Sequence, residues 1–290
     1  MENKRSSPSC IGIVGLGLIG GSLGLDLQAL GYEVHGLVHR SSTAQKAQDR
    51  KLAQVISIDT KILSDCELII LALPLDQLLK PSDYLLSALP KSAVITDVGS
   101  VKAPVVKVWR ELHQNFVGSH PMAGTNDSGV GAGKKGLFNK RPWVTTPEEK
   151  TNQNALAMVS QLAVQLGAQL IEADPNLHDQ AVALISHLPV LVSAALLRTL
   201  SKEENPTIIK LAQQLASSGF ADTTRVGGGN PNLGLAMVRN NKSAIVHALR
   251  NYNNNLHEYE KNILDENWAQ FQTELEQTKE LRPGFLKDDD

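Results

Sequence analysis

A histidine at the head of HPMAGT (His120), a serine in DVGSVK (Ser100) and three glycines in GLGLIG (Gly15, Gly17 and Gly20) are the residues whose types and spacing point to chemistry. The spacing G-x-G-x-x-G suits a phosphate cradle. Its first glycine permits a tight turn, its second lets a pyrophosphate approach the backbone, and its third lets helix and strand pack closely. A histidine titrates near neutrality and can serve as a general base, and a serine hydroxyl can hydrogen-bond beside it. Taken singly, either is equally a loop residue satisfied by its neighbours. Together they are expected to converge beside a bound dinucleotide.

The elements that must position these residues follow a regular order. CIGIVG reads as a strand, LGLIGGSLGLDLQALG as a glycine turn entering an amphipathic helix, and YEVHGLVHR as a second strand. Further strands fit ELIILAL (67–73) and AVITDV (93–98), separated by the helix-compatible PLDQLLKPSDYLLSAL. Such alternation predicts a parallel sheet covered by helices on both faces, with ligands at the strand ends in ALPL, TDVGSVK and GSHPMAGT. HPMAGT is expected to turn the chain where a strand has just ended, leaving His120 positioned rather than buried.

After it, TNDSGVGAGKKGLFNK reads as a surface loop, and PWVTT and AQLIEA as strands flanking the helical NALAMVSQLAVQL. From Pro175 to Phe271 strand signals vanish and amphipathic stretches dominate, apart from a turn-rich break at Ser217–Gly234. The expected architecture is α/β: a Rossmann-type parallel-sheet domain over 10–174, then an all-helical domain over 175–290. MENKRSSPS and LRPGFLKDDD read as loose ends.

The glycine turn, with Leu16, Leu18 and Ile19 between the glycines, is expected to hold the dinucleotide at the helix N-terminus, with Leu73 and Pro74 at a neighbouring strand end. An NAD site carries an acid after the second strand to hold the ribose 2′-hydroxyl. Here LVHRSST has none; His39, Arg40 and Ser41 offer donors and positive charge instead, so NADP is expected.

The net charge of −2 provides no basic field, which argues against a nucleic-acid partner. Cys10 and Cys66 are the only cysteines, too few for a disulfide framework and unlike a zinc motif in spacing. No metal is expected, and the cytoplasm is the expected compartment. The apolar run 181–197 is interrupted by Ser186, His187 and Pro189, and reads as a buried helix pair rather than a membrane span.

Behind GLGLIG, the segments DVGSVK, GSHPMAGT, DQAVALISHLPVLVSAAL (179–196) and ASSGFADTTRVGGGNPNLG (216–234) occur in this order. Together they resemble the prephenate and arogenate dehydrogenase family of tyrosine biosynthesis, most of all its compact NADP-dependent arogenate dehydrogenases. The resemblance implies oxidative decarboxylation of a cyclohexadienol, with His120 as the catalytic base and Ser100 hydrogen-bonded near the substrate hydroxyl. It implies that Arg225 holds a substrate carboxylate and that His187 is a second pocket histidine. Ser217 and Ser218 either line that pocket or cap a helix.

Prephenate-preferring members commonly carry an acid directly after HPMAGT, and a Ser-x-Pro followed by Trp beyond the arginine. Here Asn126 and GGGNPNLG stand in those places, which fits arogenate better, with Asp127 either meeting its ammonium or solvated. The family's helical domain implies a homodimer. Neither a fused chorismate mutase nor a regulatory domain is expected, so any inhibition by tyrosine would act at the active site. The rival readings are a prephenate dehydrogenase, a non-catalytic NADPH-binding sensor and a β-hydroxyacid dehydrogenase. The last needs a motif lysine that neither Lys210 nor Lys242 supplies.

Overall fold

The computed structural model of the chain describes residues 8–125 and 127–286. The tail 1–7, Asn126 and the last four residues, 287–290, lie outside the described residues. The chain divides into two compact units, Met1–Lys242 and Ser243–Asp290.

The first unit is built on eight strands: β1 (Cys10–Val14), β2 (Glu33–Leu37), β3 (Val55–Ser57), β4 (Leu68–Leu71), β5 (Val94–Asp97), β6 (Phe116–Pro121), β7 (Pro142–Thr146) and β8 (Gln169–Glu172). They lie in the order β3-β2-β1-β4-β5-β6-β7-β8. Alternate side chains of β4 enter different cores. Leu68 and Ile70 join one cluster with Leu23, Leu27 and Val159, whereas Ile69 and Leu71 join the other with Val105 and Trp109. A sheet buried on both faces has to read as a continuous apolar run, which is why LIIL shows no polar alternation.

The helices α1 (Leu18–Ala29), α2 (Ser41–Asp49), α3 (Leu75–Leu79), α4 (Asp83–Leu86), α5 (Ala103–Leu112) and α6 (Gln153–Gln165) link the strands. The break between α3 and α4 falls at Lys80–Ser82, where Pro81 cannot continue a helix. The glycine-rich segment after β6 forms a loop docked on α1. Lys134 N–H donates to Ser22 Oγ (3.0 Å), Gly136 N–H to Asp26 Oδ1 (2.9 Å), and Arg50 binds the carbonyls of Val130 and Gly133.

The sheet departs from the sequence expectation in direction. Strands β1, β2, β3, β4, β5 and β6 are mutually parallel, but β7 runs antiparallel to β6 and β8 follows β7. Hydrophobic pattern carries no strand direction, so the reversal was invisible in it. Strand β6 also continues through HPMAGT's first two residues, with His120 opposite Val144 and Pro121 opposite Trp143. His120 is therefore inside a strand and 9% exposed, not in a turn.

Beyond the sheet come α7 (Pro175–Val182), a π-helical turn (Ala183–His187), α8 (Leu188–Ser201), α9 (Pro206–Leu215), α10 (Ser218–Thr224) and α11 (Pro231–Asn240). The expected helix pair within 181–197 is instead part of one helical run, Pro175–Ser201. Pro189 sits in the first turn of α8 and the π-turn absorbs the register change. This run is long and apolar enough to cross a membrane by length and composition, and only 22% of its most apolar window is buried. The turn-rich break at 217–234 contains α10. There Thr223 and Thr224 satisfy their hydroxyls on the carbonyls of Gly219 and Phe220, so residues that favour turns are accommodated within the helix.

The second unit holds α12 (Lys242–Leu264) from Ser243 onward and α13 (Trp268–Leu281). Tyr259 and Phe271 pack edge to face at 5.5 Å, and Asn262 donates to Glu274 (3.1 Å).

Candidate active site and nucleotide-binding turn

The turn between β1 and α1 fits a pyrophosphate on its own geometry. Gly15 has φ +96°, and a side chain there would meet the Ala72 carbonyl at 2.4 Å. A Cβ on Gly20 would lie 1.9 Å from the Gly15 carbonyl, so helix and strand touch through backbone. A Cβ added at Gly17 would meet nothing within 4 Å, which leaves room for a ligand. No side chain caps the start of α1, which leaves its first N–H groups open to an anion. Leu16 is buried and Leu18 and Ile19 are half-buried along the turn. Leu73, half-buried, and Pro74, exposed, follow β4 on the neighbouring strand end. His39, Arg40 and Ser41 are exposed just beyond β2, and Arg40 has no ion pair among the described residues.

The second cluster surrounds His120. Its Nδ1 lies 3.0 Å from Nε2 of His178, whose Nδ1 lies 2.8 Å from Oδ1 of Asp179. The Asp179 carboxylate also accepts the backbone N–H groups of Lys102 (2.7 Å) and Ala103 (2.9 Å) at the start of α5. This contact joins α7 to the start of α5. Asn241 completes the cluster by donating its side-chain amide to the Asp179 carbonyl (2.7 Å) and meeting Nδ1 of His187 at 3.2 Å.

Beneath His120 runs a fully buried ion pair between Lys102 and Asp97. Lys102 Nζ also donates to the Ser119 carbonyl (2.8 Å), and Asp97 accepts N–H groups from Gly99 and Ser119. Charges this deep persist only when paired and fully hydrogen-bonded. The pair fixes the loop after β5 against β6 and sets a positive charge near His120. Burial pushes the His120 pKa well below the usual histidine range, and His178, Lys102 and His187 push the same way. Burial pulls His187 down to about 4 despite Asp179. Both rings are neutral near pH 7, so His120 is free to accept a proton.

Of the residues singled out in the sequence, the structure brings His120 and His187 into one cluster. Ser100 lies half-buried in the loop after β5, and its hydroxyl makes no hydrogen bond among the described residues. Arg225 caps α10 at its C-terminus, exposed and without an ion pair among the described residues. Ser217 occupies the α10 N-cap position without a side-chain cap bond, and Ser218 is exposed. Asp127 is exposed, with its backbone and carboxylate turned to the Thr125 hydroxyl. Asn126 lies outside the described residues.

His178, Asp179, Lys102 and Asn241 were not picked out from the sequence. The signal for the first two was an adjacent His-Asp pair in NLHDQ, whose Asp179 opens the segment that stood out and whose His178 lies one residue upstream of it.

A third group lies elsewhere in the sheet. Cys10, His35 and Cys66 place their ligand atoms within 4.8 Å of one another, although the cysteines are 56 residues apart. Parallel pairing of β1 with β2 and β4 brings them together. The two ring nitrogens of His35 lie 2.7 Å from the Ile62 carbonyl and 2.9 Å from Glu33, so both are engaged with other groups. Burial raises both thiol pKa values, leaving protonated sulfurs in contact.

Comparison with known proteins agrees with this architecture. Residues 23–172 match the nucleotide-binding domain of prephenate dehydrogenase, and residues 174–277 match its dimerization domain. The chain is 32% identical over 243 residues to prephenate dehydrogenase of Bacillus subtilis, covering 81% of this chain and 64% of that protein. The chain thus spans just under two thirds of that relative's length.

Among solved structures, Synechocystis arogenate dehydrogenase superposes with a TM-score of 0.82 at 40% identity, covering 96% of this chain and 100% of the other. Prephenate dehydrogenase from A. aeolicus, in complex with hydroxyphenyl propionate and NAD+, superposes with a TM-score of 0.88 at 26% identity, covering 96% and 98%. With a glycine turn built for a dinucleotide, a buried neutral histidine on β6 and both family domains matched in sequence, the chain belongs to the prephenate and arogenate dehydrogenase family.

Proposed function

We propose that the chain oxidatively decarboxylates L-arogenate to L-tyrosine, with NADP as hydride acceptor. The observation that carries this reading is His120: a buried imidazole held neutral on β6, beside the loop that carries Ser100. The 40% identity to Synechocystis arogenate dehydrogenase supports the choice of substrate. The acid-free stretch from His39 to Ser41 supports NADP.

In this reading His120 accepts the proton of the ring hydroxyl while Ser100 hydrogen-bonds the same oxygen. A nicotinamide cofactor held at the glycine turn would supply the acceptor for the hydride of the carbon bearing that oxygen. The bond from the ring to its carboxylate then breaks, CO2 leaves, and the released electron pair completes the aromatic ring. The ring oxygen recovers its proton as a phenol. Arg225 clamps a substrate carboxylate with its guanidinium fork. His187 receives the Asn241 amide on Nδ1, so its proton sits on Nε2, buried and without a partner among the described residues. A substrate oxygen is a fitting acceptor for it.

The functional division runs between a nucleotide-binding domain at 10–174 and a helical domain at 175–290. The exposed Leu177, Leu184, Ile185, Leu196 and Leu200 are covered by a second copy of the chain in a homodimer, not by lipid. Reduced, unpaired Cys10 and Cys66 fit a cytoplasmic enzyme.

A prephenate reading, giving 4-hydroxyphenylpyruvate, is favoured by the identity to the Bacillus subtilis enzyme. The test is kcat/KM for arogenate and prephenate, each with saturating NADP and NAD. A strong preference for arogenate and NADP is expected. Equal prephenate turnover would remove the arogenate assignment and leave the role of His120 standing.

A further inference from the structure

We infer that His178 and Asp179 form a positioning pair that fixes the tautomer of His120, placing its proton on Nδ1 and leaving Nε2 as the basic nitrogen. The inference deepens the proposed role of His120 as the base and rests on it.

An ionised carboxylate only accepts, and Asp179 receives three donors. Two are the backbone N–H groups of Lys102 (2.7 Å) and Ala103 (2.9 Å), which are fixed by the start of α5. The third partner, Nδ1 of His178 at 2.8 Å, must therefore carry a hydrogen. With Nδ1–H as the ring's one hydrogen, Nε2 can only accept. Facing it at 3.0 Å is Nδ1 of His120, which must donate. The remaining nitrogen of His120, Nε2, keeps its lone pair.

The arrangement follows the logic of serine hydrolases, in which a carboxylate holds a histidine in one tautomer so that the opposite nitrogen can take a proton. Here a second imidazole is interposed. The two rings meet edge to face, with centroids 5.2 Å apart and planes at 73°, so His120 cannot flip without losing the hydrogen bond. Once His120 holds the substrate proton, its Nδ1–H can strengthen toward His178 and spread the positive charge toward Asp179. The groups that face this chain are Lys102, which carries the opposing positive charge and is paired with Asp97, and His187. Asn241 holds the main chain at Asp179 through its carbonyl. Nothing else in the proposed mechanism uses the buried His178, which is 3% exposed.

The test begins without substrate. In the full-length protein labelled with 15N-histidine, the imidazole nitrogen shifts at pH 7 report which nitrogen of each ring carries hydrogen, and His120→Gln identifies the His120 signals. A single Nδ1–H tautomer for His120 is expected, collapsing to a mixture in His178→Leu. A proton found on Nε2 in the wild type overturns the inference, whether or not the protein turns over arogenate.

Kinetics supply the second arm. His178→Leu should lower kcat by roughly 100-fold or more, the direction seen when a positioned histidine loses its tautomer partner, with KM within about threefold. His178→Gln, whose amide oxygen can reach the place of Nε2, should recover at least about tenfold of that loss. A His178→Leu enzyme with kcat within threefold of wild type, or a glutamine variant no better than leucine in a folded protein, overturns the proposal. Absent turnover of both ring substrates by wild type, alongside the expected tautomer, would instead remove the functional reading.

Discussion

His120 and His178 lie 58 residues apart in sequence and 3.0 Å apart through their ring nitrogens, one on β6 and the other on the first helix beyond the sheet. The contact joins β6 to the helical segment that follows the sheet, so the orientation of the His120 ring is set from α7. Asp179 reinforces the join by binding the start of α5 through two backbone N–H groups.

Replacing His120 by Asn should lower kcat by roughly 10²–10⁴-fold, the usual scale for losing a general base. Nucleotide affinity should stay within about twofold, because the glycine turn lies on a different strand end. Titration of NADP against the variant checks the second half, and a matching loss of affinity would show that His120 shapes the cofactor site instead.

Gly17 and Gly20 should respond in opposite ways to alanine. The new methyl at Gly17 meets nothing within 4 Å, so folding is preserved while a pyrophosphate is excluded, and nucleotide affinity should fall by roughly tenfold or more. At Gly20 the methyl meets the Gly15 carbonyl at 1.9 Å, where only backbone could yield. Stability should then drop by about 1–3 kcal/mol, as for other overpacked sites. Urea midpoints and NADP titrations of both variants separate the two effects.

Arg40→Glu should discriminate between the two dinucleotides. A carboxylate just beyond β2 repels a 2′-phosphate and offers an acceptor to a 2′-hydroxyl. KM for NADP is expected to rise by roughly tenfold or more and KM for NAD to hold or fall. Unchanged NADP affinity would place the 2′-phosphate away from Arg40.

Lys102→Met removes the cation from a fully buried pair and strands Asp97 with only the N–H groups of Gly99 and Ser119. Breaking one side of such a pair typically costs about 3–5 kcal/mol, whereas replacing both sides with uncharged groups costs less. Lys102→Met combined with Asp97→Asn should therefore be more stable than Lys102→Met alone. Denaturant unfolding of the two variants shows the order directly.

The legible parts of this molecule were those with a local signature. GLGLIG between an apolar run and an amphipathic helix specified β1, the turn and α1, because each glycine answers a local steric demand. The apolar run in LIIL likewise specified a strand buried on both faces. Lys102 was different. The lysine that ends DVGSVK carries no local sign of burial, and only the packing of β5 against β6 buries it. The direction of β7, the meeting of His120 with His178 and the approach of Cys10 to Cys66 share that character. Each depends on which strands become neighbours, and no window of sequence contains that.

Acid should destabilise the protein through its neutral buried histidines, and His187 allows the sign to be worked out. Its folded pKa is near 4 because burial disfavours the charged ring, against about 6.5 in the unfolded chain. Between those values the unfolded state binds a proton that the folded state refuses, so stability falls as pH drops below about 6.5 and stops falling below about 4. The share of His187 is of the order of 2 kcal/mol at pH 5, and His120, shifted the same way, adds to it. Urea midpoints measured at pH 7 and pH 5 should differ accordingly. His187→Leu should lessen that difference, since the variant has nothing to protonate at this position in either state. A wild-type midpoint that is flat over this range would mean that the His187 ring gains a counter-charge in the folded protein, and Asp179, the one nearby group that favours its protonation, would be the residue to replace next.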